Sequence, residues 1–310
     1  MGHEIGHHTN LHFWIYSFHM PIFFILSGYT SNLINKWQIW RKQIKKLFIR
    51  VLIPALLMVF IYQIERALFN QISWSQVWVL SVKELFWGAD PVISSGLSVE
   101  IEWFLFLYFF AKLFFDGFNV IFKEKCFGII LMILSLMSYQ FISVKLNLPL
   151  VLDLVPLASF YMYIGHLIKK NQEWIQSHYI ITVSIAFIYW GLMVLNRQAV
   201  DMAIRYFTSN YVLGILETIT GSFVVITACQ SIESFNLMKK FSFLGKHTLM
   251  LMFIHELDCY NFTWMNIMSA LHLDNYTSAV YRVVVDVAIL FLFFGVMRVF
   301  RIFCRINSES

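Results

Sequence analysis

The segment Leu11–Asn32, LHFWIYSFHMPIFFILSGYTSN, limits the possible folds more than any other part of the chain. It is apolar enough to enter a bilayer, yet His19, Pro21, Ser27 and Gly28 lie inside the apolar run. A polar side chain in hydrocarbon needs a partner, and a proline leaves a backbone carbonyl without its helical hydrogen bond. The segment therefore predicts a membrane helix that forms one wall of a functional site, together with the polar N-terminal stretch MGHEIGHHTN.

The composition extends this prediction to the whole chain. Of the 310 residues, 59% are hydrophobic and only 13% are charged, whereas soluble domains carry about 25% charge. The shortfall indicates that most of the surface faces lipid, so we expect one membrane domain over residues 1–310. The net charge of +5 does not indicate a nucleic-acid partner, because the positive residues lie in short loops between apolar spans.

Several segments are long enough to cross the hydrocarbon core, which takes about 20 residues of helix. These candidate spans are Phe13–Leu33, Leu47–Ile64, Ile101–Val120, Phe127–Val144, Leu150–Ile168, Tyr179–Leu195, Tyr211–Cys229, Phe243–Leu257 and Ala279–Phe303. The breaks between them carry turn signals and charges, such as the run Lys123-Glu124-Lys125. The sequence therefore predicts an all-α, polytopic bundle of about nine transmembrane helices.

The basic residues predict the orientation of the bundle. If Phe13–Leu33 runs from outside to inside, most Lys and Arg residues fall in the inner loops. The outer loops then hold only Arg66, Lys83, Lys145, Arg197 and Arg205. This positive-inside distribution predicts a multi-pass protein of the inner (plasma) membrane with a cytoplasmic C-terminus.

The N-terminal run His3-Glu4-Ile5-Gly6-His7 matches the zinc-protease pattern H-E-x-x-H. In that interpretation His3 and His7 bind zinc from one helical face, and Glu4 activates a water molecule. However, no apolar run precedes the motif to build the metal-binding helix, and no third ligand is evident. We therefore expect no metal, and retain a membrane zinc protease as an alternative.

A set of motifs follows the chain in order. They are Gly2-His3, FHMPIFFILSGY (Phe18–Tyr29), RVLIP (Arg50–Pro54), Trp103-Phe104-Leu105, FYMYIGHLIKK (Phe160–Lys170) and LGKHT (Leu244–Thr248) followed by His255. Together they resemble the integral-membrane acyltransferase-3 family, and within it the fucose 4-O-acetylase-like branch. The family has ten core helices, so the resemblance implies that a first helix, carrying an arginine, would lie before Met1.

The resemblance also implies an activity. A membrane O-acyltransferase of this kind would move an acetyl group from cytosolic acetyl-CoA to a hydroxyl of a cell-envelope sugar or polysaccharide precursor. His3 occupies the position of the family's essential histidine, and a histidine that titrates near neutral pH suits a general base. The alternative for His3 is a solvated side chain in a frayed terminus.

The other candidate site residues each have a structural alternative. His19 is expected to line the acyl-transfer cavity, with Pro21 opening the helix, unless it only hydrogen-bonds a neighbouring helix. Ser27 and Gly28 are expected to be close-packing residues rather than nucleophiles.

The donor and acceptor candidates lie on opposite sides of the predicted bundle. Arg50, Lys46 and Arg41 are expected to meet the phosphates of acetyl-CoA, although a positive-inside signal explains the basic cluster equally well. Trp103 and Glu102 are candidates for contacts with the acceptor, or for interface anchors.

One further functional class remains open at the sequence level. A transporter or flippase for glycan units would also place polar residues at mid-membrane depth. The expected partners are the lipid bilayer and a sugar or lipid-linked glycan. The oligomeric state stays open.

Overall fold

The computed structural model describes residues 10–88, 103–143, 148–196, 200–202, 205–207, 210–232, 242–261 and 280–295. Within these ranges the protein is helical and has no β-strand, although an isolated bridge joins Asp201 to Tyr206. The all-α prediction is confirmed. The chain forms two compact units: the larger unit is Asn10–Ser231, and the described part of the smaller unit is 242–261 and 280–295.

The larger unit contains ten α-helices in its described part. They are α1 (Asn10–Tyr16), α2 (Pro21–Thr30), α3 (Trp37–Leu47), α4 (Ile53–Leu68), α5 (Gln76–Lys83), α6 (Trp103–Ser143), α7 (Val155–Lys170), α8 (Gln172–Ser177), α9 (Tyr179–Leu195) and α10 (Tyr211–Ile232). A π-helical segment, Phe48–Leu52, joins α3 to α4, and a second one, Glu84–Gly88, follows α5. A 3₁₀ segment, Pro149–Leu154, leads into α7.

Four helical stretches of the larger unit are long and apolar enough to cross a membrane. They are Trp37–Leu68, Trp103–Phe122, Pro149–Lys170 and Tyr211–Ile232, and shorter apolar helices accompany them. The predicted span Tyr179–Leu195 coincides with α9, and the predicted span from Tyr211 continues past Cys229 to Ile232. A multi-pass membrane protein is therefore supported.

The first predicted span is not one helix, because the chain turns at residues 17–20 between α1 and α2. Pro21 lies at the first position of α2. It has no amide hydrogen to give to the carbonyl of Ser17, four residues earlier, so one helical hydrogen bond is missing where the chain turns. The prediction that Pro21 opens the helix is confirmed, whereas the single span Phe13–Leu33 is wrong.

The second predicted span, Leu47–Ile64, lies inside a longer helical stretch. The helix runs over 32 residues from Trp37 to Leu68, roughly 48 Å at 1.5 Å per residue, which exceeds the hydrocarbon thickness of about 30 Å. Pro54 lacks the amide that would bond the carbonyl of Arg50, and the π-helical segment accommodates this gap.

The third and fourth predicted spans belong to one helical stretch, α6, of 41 residues. The ring centroids of Phe115 and Phe127 nevertheless lie 5.3 Å apart, whereas twelve residues of straight helix rise roughly 18 Å. The stretch is therefore bent into two arms that pack side by side. The run Lys123-Glu124-Lys125 lies between these two phenylalanines in the sequence, so the position of the reversal was predicted correctly. The sequence did not predict that the helix continues through the reversal.

Helices α2 and α7 cross at backbone contact. A methyl group added to Gly28 would lie 1.8 Å from the Met162 carbonyl oxygen, and one added to Gly165 would lie 1.9 Å from the Ile25 carbonyl oxygen. Small residues allow such approach between membrane helices, where packing and not water exclusion drives association. The prediction that Gly28 is a close-packing residue is confirmed. Ser27 bonds the hydroxyl of Tyr108 on α6 at 3.1 Å.

The smaller unit contains a short helix at 242–246, a helix at Thr248–Asn261 and a helix at 280–295. A turn at His247 interrupts the predicted span Phe243–Leu257. The ring of Phe243 stacks on Phe291 at 5.5 Å, and His255 Nδ1 lies 2.8 Å from Asp286 Oδ2. The last eight residues of the predicted span Ala279–Phe303 lie outside the described residues.

We expect Gly28→Ala and Gly165→Ala to destabilise the protein by about 1–3 kcal/mol each, because the added methyl group meets a backbone carbonyl that cannot rotate away. Thermal unfolding in detergent micelles measures the change. Gly295→Ala is the matched control, because a methyl group there meets nothing within 4 Å. Unfolding midpoints for the two crossing variants equal to that of Gly295→Ala would contradict the close approach.

Candidate active site

His19 lies in the turn between α1 and α2. Its backbone amide donates to the carbonyl of Ile15 at 3.0 Å, and its half-buried ring packs at 4.6 Å from the ring of Tyr16. The turn is fixed from outside as well, because the indole N–H of Trp190 on α9 donates to the Ser17 hydroxyl at 2.7 Å. The structure thus places a histidine at a helix break inside the apolar segment, as the sequence predicts.

A cleft of about 140 Å³ opens in the larger unit near the far end of α2. Its lining is mostly apolar and is interrupted by amide and hydroxyl groups. The lining residues are Ile25, Tyr29, Ile168, Gln172, Ile175, Gln176, Tyr179, Phe223, Ile226, Thr227 and Gln230. The Tyr29 hydroxyl donates to the Gln172 side chain at 3.2 Å, so α2 and α8 are joined at the rim.

Helix α2 connects the cleft to the histidine. Pro21 begins the helix two residues after His19, and Ile25 and Tyr29 line the cleft. Because α2 has ten residues, the two features lie along roughly 15 Å of one rigid element. The crossing with α7 holds that element at backbone contact, so its position is set by tight packing.

The end of the larger unit that carries the cleft is also rich in basic residues. Lys169 near the end of α7 donates to Asn32 Oδ1 at 3.1 Å, just beyond α2. Trp40 on α3 donates to the Leu113 carbonyl on α6 at 3.2 Å. This contact turns the opposite face of α3 outward, so that Arg41, Lys42, Lys45 and Lys46 are exposed.

The sequence-predicted donor and acceptor residues have different environments. Arg50 is exposed on the π-helical segment, on the same continuous helix as Arg41 and Lys46. Trp103 is buried at 2% exposure at the start of α6. Glu102 and His3 lie outside the described residues, as does the whole H-E-x-x-H run. Among the residues the structure describes, no group of three or more His, Cys, Asp or Glu side chains is arranged to hold a metal ion.

Comparison with models of protein families adds the decisive observation. The acyltransferase domain of the acyltransferase-3 family matches residues 2–300. The chain belongs to the acyltransferase-3 family. Searches of the curated proteins and of the solved structures give no match. The resemblance found in the motifs is therefore confirmed at the level of the family, and the protein is a membrane acyltransferase.

This acyltransferase also contains buried charges that the sequence interpretation missed. The outer-loop assignment of Arg66 is wrong, because it lies on α4 at 8% exposure, 3.8 Å from Glu84. Gln63 donates to the same Glu84 carboxylate. Burial raises the pKa of Glu84 to about 7, although the Gln63 hydrogen bond and the charges of Arg66 and Lys83 lower it.

A second buried pair lies next to this cluster. The Arg205 guanidinium donates two hydrogen bonds, of 2.6 and 2.9 Å, to the Asp153 carboxylate. Asp153 belongs to the 3₁₀ segment, which contacts the π-helical segment that contains Glu84. In that segment Leu150 and Val151 have positive φ angles of 57° and 58°, which side chains rarely adopt. Arg205 lies in a connection, as its outer-loop assignment states, but it is buried and paired.

Two further charged groups of the acyltransferase lie inside its apolar helices. Lys112 donates to Asp116 one turn later on α6, at 2.6 Å. Glu217 on α10 is fully buried, and neither carboxylate oxygen has a hydrogen-bond partner within the described part of the chain. Isolated charges in apolar runs were a signal for these sites, but the sequence does not show their partners.

We expect the stability of this acyltransferase to depend on pH through Glu84. Its folded pKa of about 7 exceeds the ordinary 4.5, so the folded protein keeps a proton that the unfolded chain releases. The stabilisation is complete below pH 4.5 and is lost as the pH rises through 7. Glu84→Gln should flatten this slope, as measured by thermal unfolding in micelles from pH 4.5 to 8.

Glu173→Gln provides the control for this series, because it removes an exposed carboxylate of α8 without touching the buried cluster. Equal slopes in the wild type and in Glu84→Gln across the window would show that Glu84 does not hold the proton.

Proposed function

We propose that the protein transfers an acetyl group from acetyl-CoA to a hydroxyl of a cell-envelope sugar or polysaccharide precursor. The observation that carries the proposal is the connection made by α2, whose C-terminal half lines a cleft and whose N-terminus adjoins His19. Membership of the acyltransferase-3 family indicates the class of reaction, which is acyl transfer. The α2 connection suggests where donor and base meet.

The cleft is proposed as the donor site. The pantetheine arm of coenzyme A alternates apolar segments with amides, and the cleft offers apolar walls with the amides of Gln172, Gln176 and Gln230. The exposed basic residues of α3 and the π-helical segment, Arg41, Lys46 and Arg50, would hold the phosphates near the cleft mouth. The basic end would then face the cytosol, which supplies acetyl-CoA.

The chemistry requires a base. A sugar hydroxyl becomes a competent nucleophile when a base removes its proton as the oxygen attacks the thioester carbonyl. A new C–O bond forms, the C–S bond breaks, and the departing coenzyme A thiolate takes a proton, so the net products are the ester and the free thiol. His3 is the proposed base, and His19 is proposed to line the cavity where transfer occurs.

The acceptor would approach from the opposite end of the larger unit. Helix α4 ends there, some 25 residues beyond the basic face of α3, or roughly 37 Å. Trp103 begins α6 at that end, and Trp74 and Trp78 are exposed beside α5. Trp103 and Glu102 remain the proposed acceptor-side residues. The proposal gives an inner-membrane protein whose C-terminus is cytoplasmic.

Detection of the product tests the function. Membranes that contain the protein should move radiolabelled acetyl groups from acetyl-CoA into alkali-labile esters on envelope glycan or its lipid-linked precursor. Membranes without the protein should not. Labelled ester in equal amount in both preparations would refute the proposed reaction.

We expect His3→Ala and His19→Ala to lower kcat by about 100-fold or more, the usual contribution of a general base or of a group that positions one. Initial rates in proteoliposomes measure the loss. His178→Ala is the matched control, since His178 is exposed and stacks on Trp174. Wild-type rates in both variants would remove these histidines from the mechanism.

We expect Arg50→Ala to raise the KM for acetyl-CoA about tenfold while kcat is retained, because it would remove donor binding that is equal in the ground and transition states. Ile226→Trp should do the same by filling the cleft. Ile188→Trp is its control, because Ile188 is 59% exposed on the outward face of α9. An unchanged KM in Ile226→Trp would place the donor elsewhere.

A further inference from the structure

We infer that Trp190 is a positioning residue for His19, acting through Ser17, and that the acyl-transfer step depends on its indole N–H. The inference rests on the proposed role of His19 in transfer. It concerns a hydrogen bond between helix α9 and the turn after α1, which are far apart in the sequence. It assigns no contact between Trp190 and substrate.

The hydrogen-bond chain begins on α9, passes through Ser17 in the turn and ends on α1. The Trp190 Nε1–H donates to Ser17 Oγ at 2.7 Å, and the Ser17 hydroxyl donates in turn to the Trp14 carbonyl at 2.8 Å. Ser17 is fully buried and Trp190 is 6% exposed, so water does not compete for either group. One residue, Phe18, separates Ser17 from His19.

The indole has one well-defined orientation. The Trp14 ring packs edge-on against Trp190 at 4.7 Å, and the Phe18 ring does so at 5.8 Å. Gly221 of α10 also adjoins the indole, since an added methyl group there would be 2.7 Å from Trp190 Nε1. These close contacts hold the indole with its N–H directed at Ser17.

The turn needs such an external fixing point. Pro21 cannot bond the Ser17 carbonyl, so one helical hydrogen bond across the turn is missing, although the amides of Ser17 and His19 still donate to carbonyls of α1. A loose turn would let the His19 ring move relative to the thioester, and an error of about 1 Å in a catalytic group costs on the order of 100-fold in rate. The Trp190 bond replaces part of the missing restraint.

The test removes the hydrogen bond from each side. Trp190→Phe keeps an aromatic ring and removes the N–H, and Ser17→Ala removes the acceptor. We expect each variant to lower kcat at least about tenfold, to leave the KM for acetyl-CoA within about twofold of wild type, and to shift the pH profile of kcat. The double variant should be no slower than the slower single one, because both changes break the same bond.

Tyr211→Phe is the matched control. It keeps an aromatic ring and removes a buried hydrogen bond, from the Tyr211 hydroxyl to the Ser135 carbonyl at 3.0 Å, that belongs neither to the His19 turn nor to the cleft. Its kcat should stay within about twofold of wild type, while its loss of thermal stability should resemble that of Trp190→Phe. This comparison separates positioning from general stability.

Two outcomes would overturn the inference while the proposed function stands. One is a wild-type kcat and pH profile in both Trp190→Phe and Ser17→Ala when His19→Ala is inactive. The other is additive losses in the double variant, which would mean that the two side chains act separately. A fully active His19→Ala variant would instead refute the role of His19 on which both proposals depend.

Discussion

Hydrocarbon offers no water to satisfy a polar group, and this constraint decides most of the structure. Pro21 leaves the Ser17 carbonyl without its helical hydrogen bond, and Trp190 and the Trp14 carbonyl supply partners for the buried Ser17 side chain. The ion pair between Lys112 and Asp116 obeys the same rule inside α6. Polar residues in the apolar helices are thus found mainly where another helix, or the next turn of the same helix, supplies a hydrogen-bond or ion-pair partner.

Close contact between the backbones of neighbouring helices is the second feature on which the structure depends. Gly28 and Gly165 let α2 and α7 meet with no side chain between their backbones, and Gly221 leaves room for the Trp190 indole. Because these contacts are rigid, α2 can hold the cleft at one end and the histidine turn at the other in a constant relation. The proposed transfer, from a donor at one face to an acceptor activated by a base, would need this kind of fixed element.

Parts of the fold and the site were accessible from residue patterns alone. The span Tyr179–Leu195 was predicted to the residue because polar turns bound a run without charged residues. The break in the first span was predicted because proline lacks an amide. Arg66 was misassigned to a loop. The sequence alone does not show whether a positive charge at the end of an apolar run faces water or pairs with a buried carboxylate such as Glu84. The reversal within α6 was found from charges, but its helical continuity was not.

The sequence by itself determined that the chain is helical, lies in a membrane, belongs to the acyltransferase-3 family and carries a histidine at a helix break. These properties follow from hydropathy, local stereochemistry and motifs, all of which act over a few residues. Only the tertiary structure decided that Trp190 meets Ser17 across 173 residues and that side chains of five helices enclose one cleft. Such contacts depend on which faces pack together, and in a bilayer nearly every face is apolar, so hydropathy cannot distinguish them.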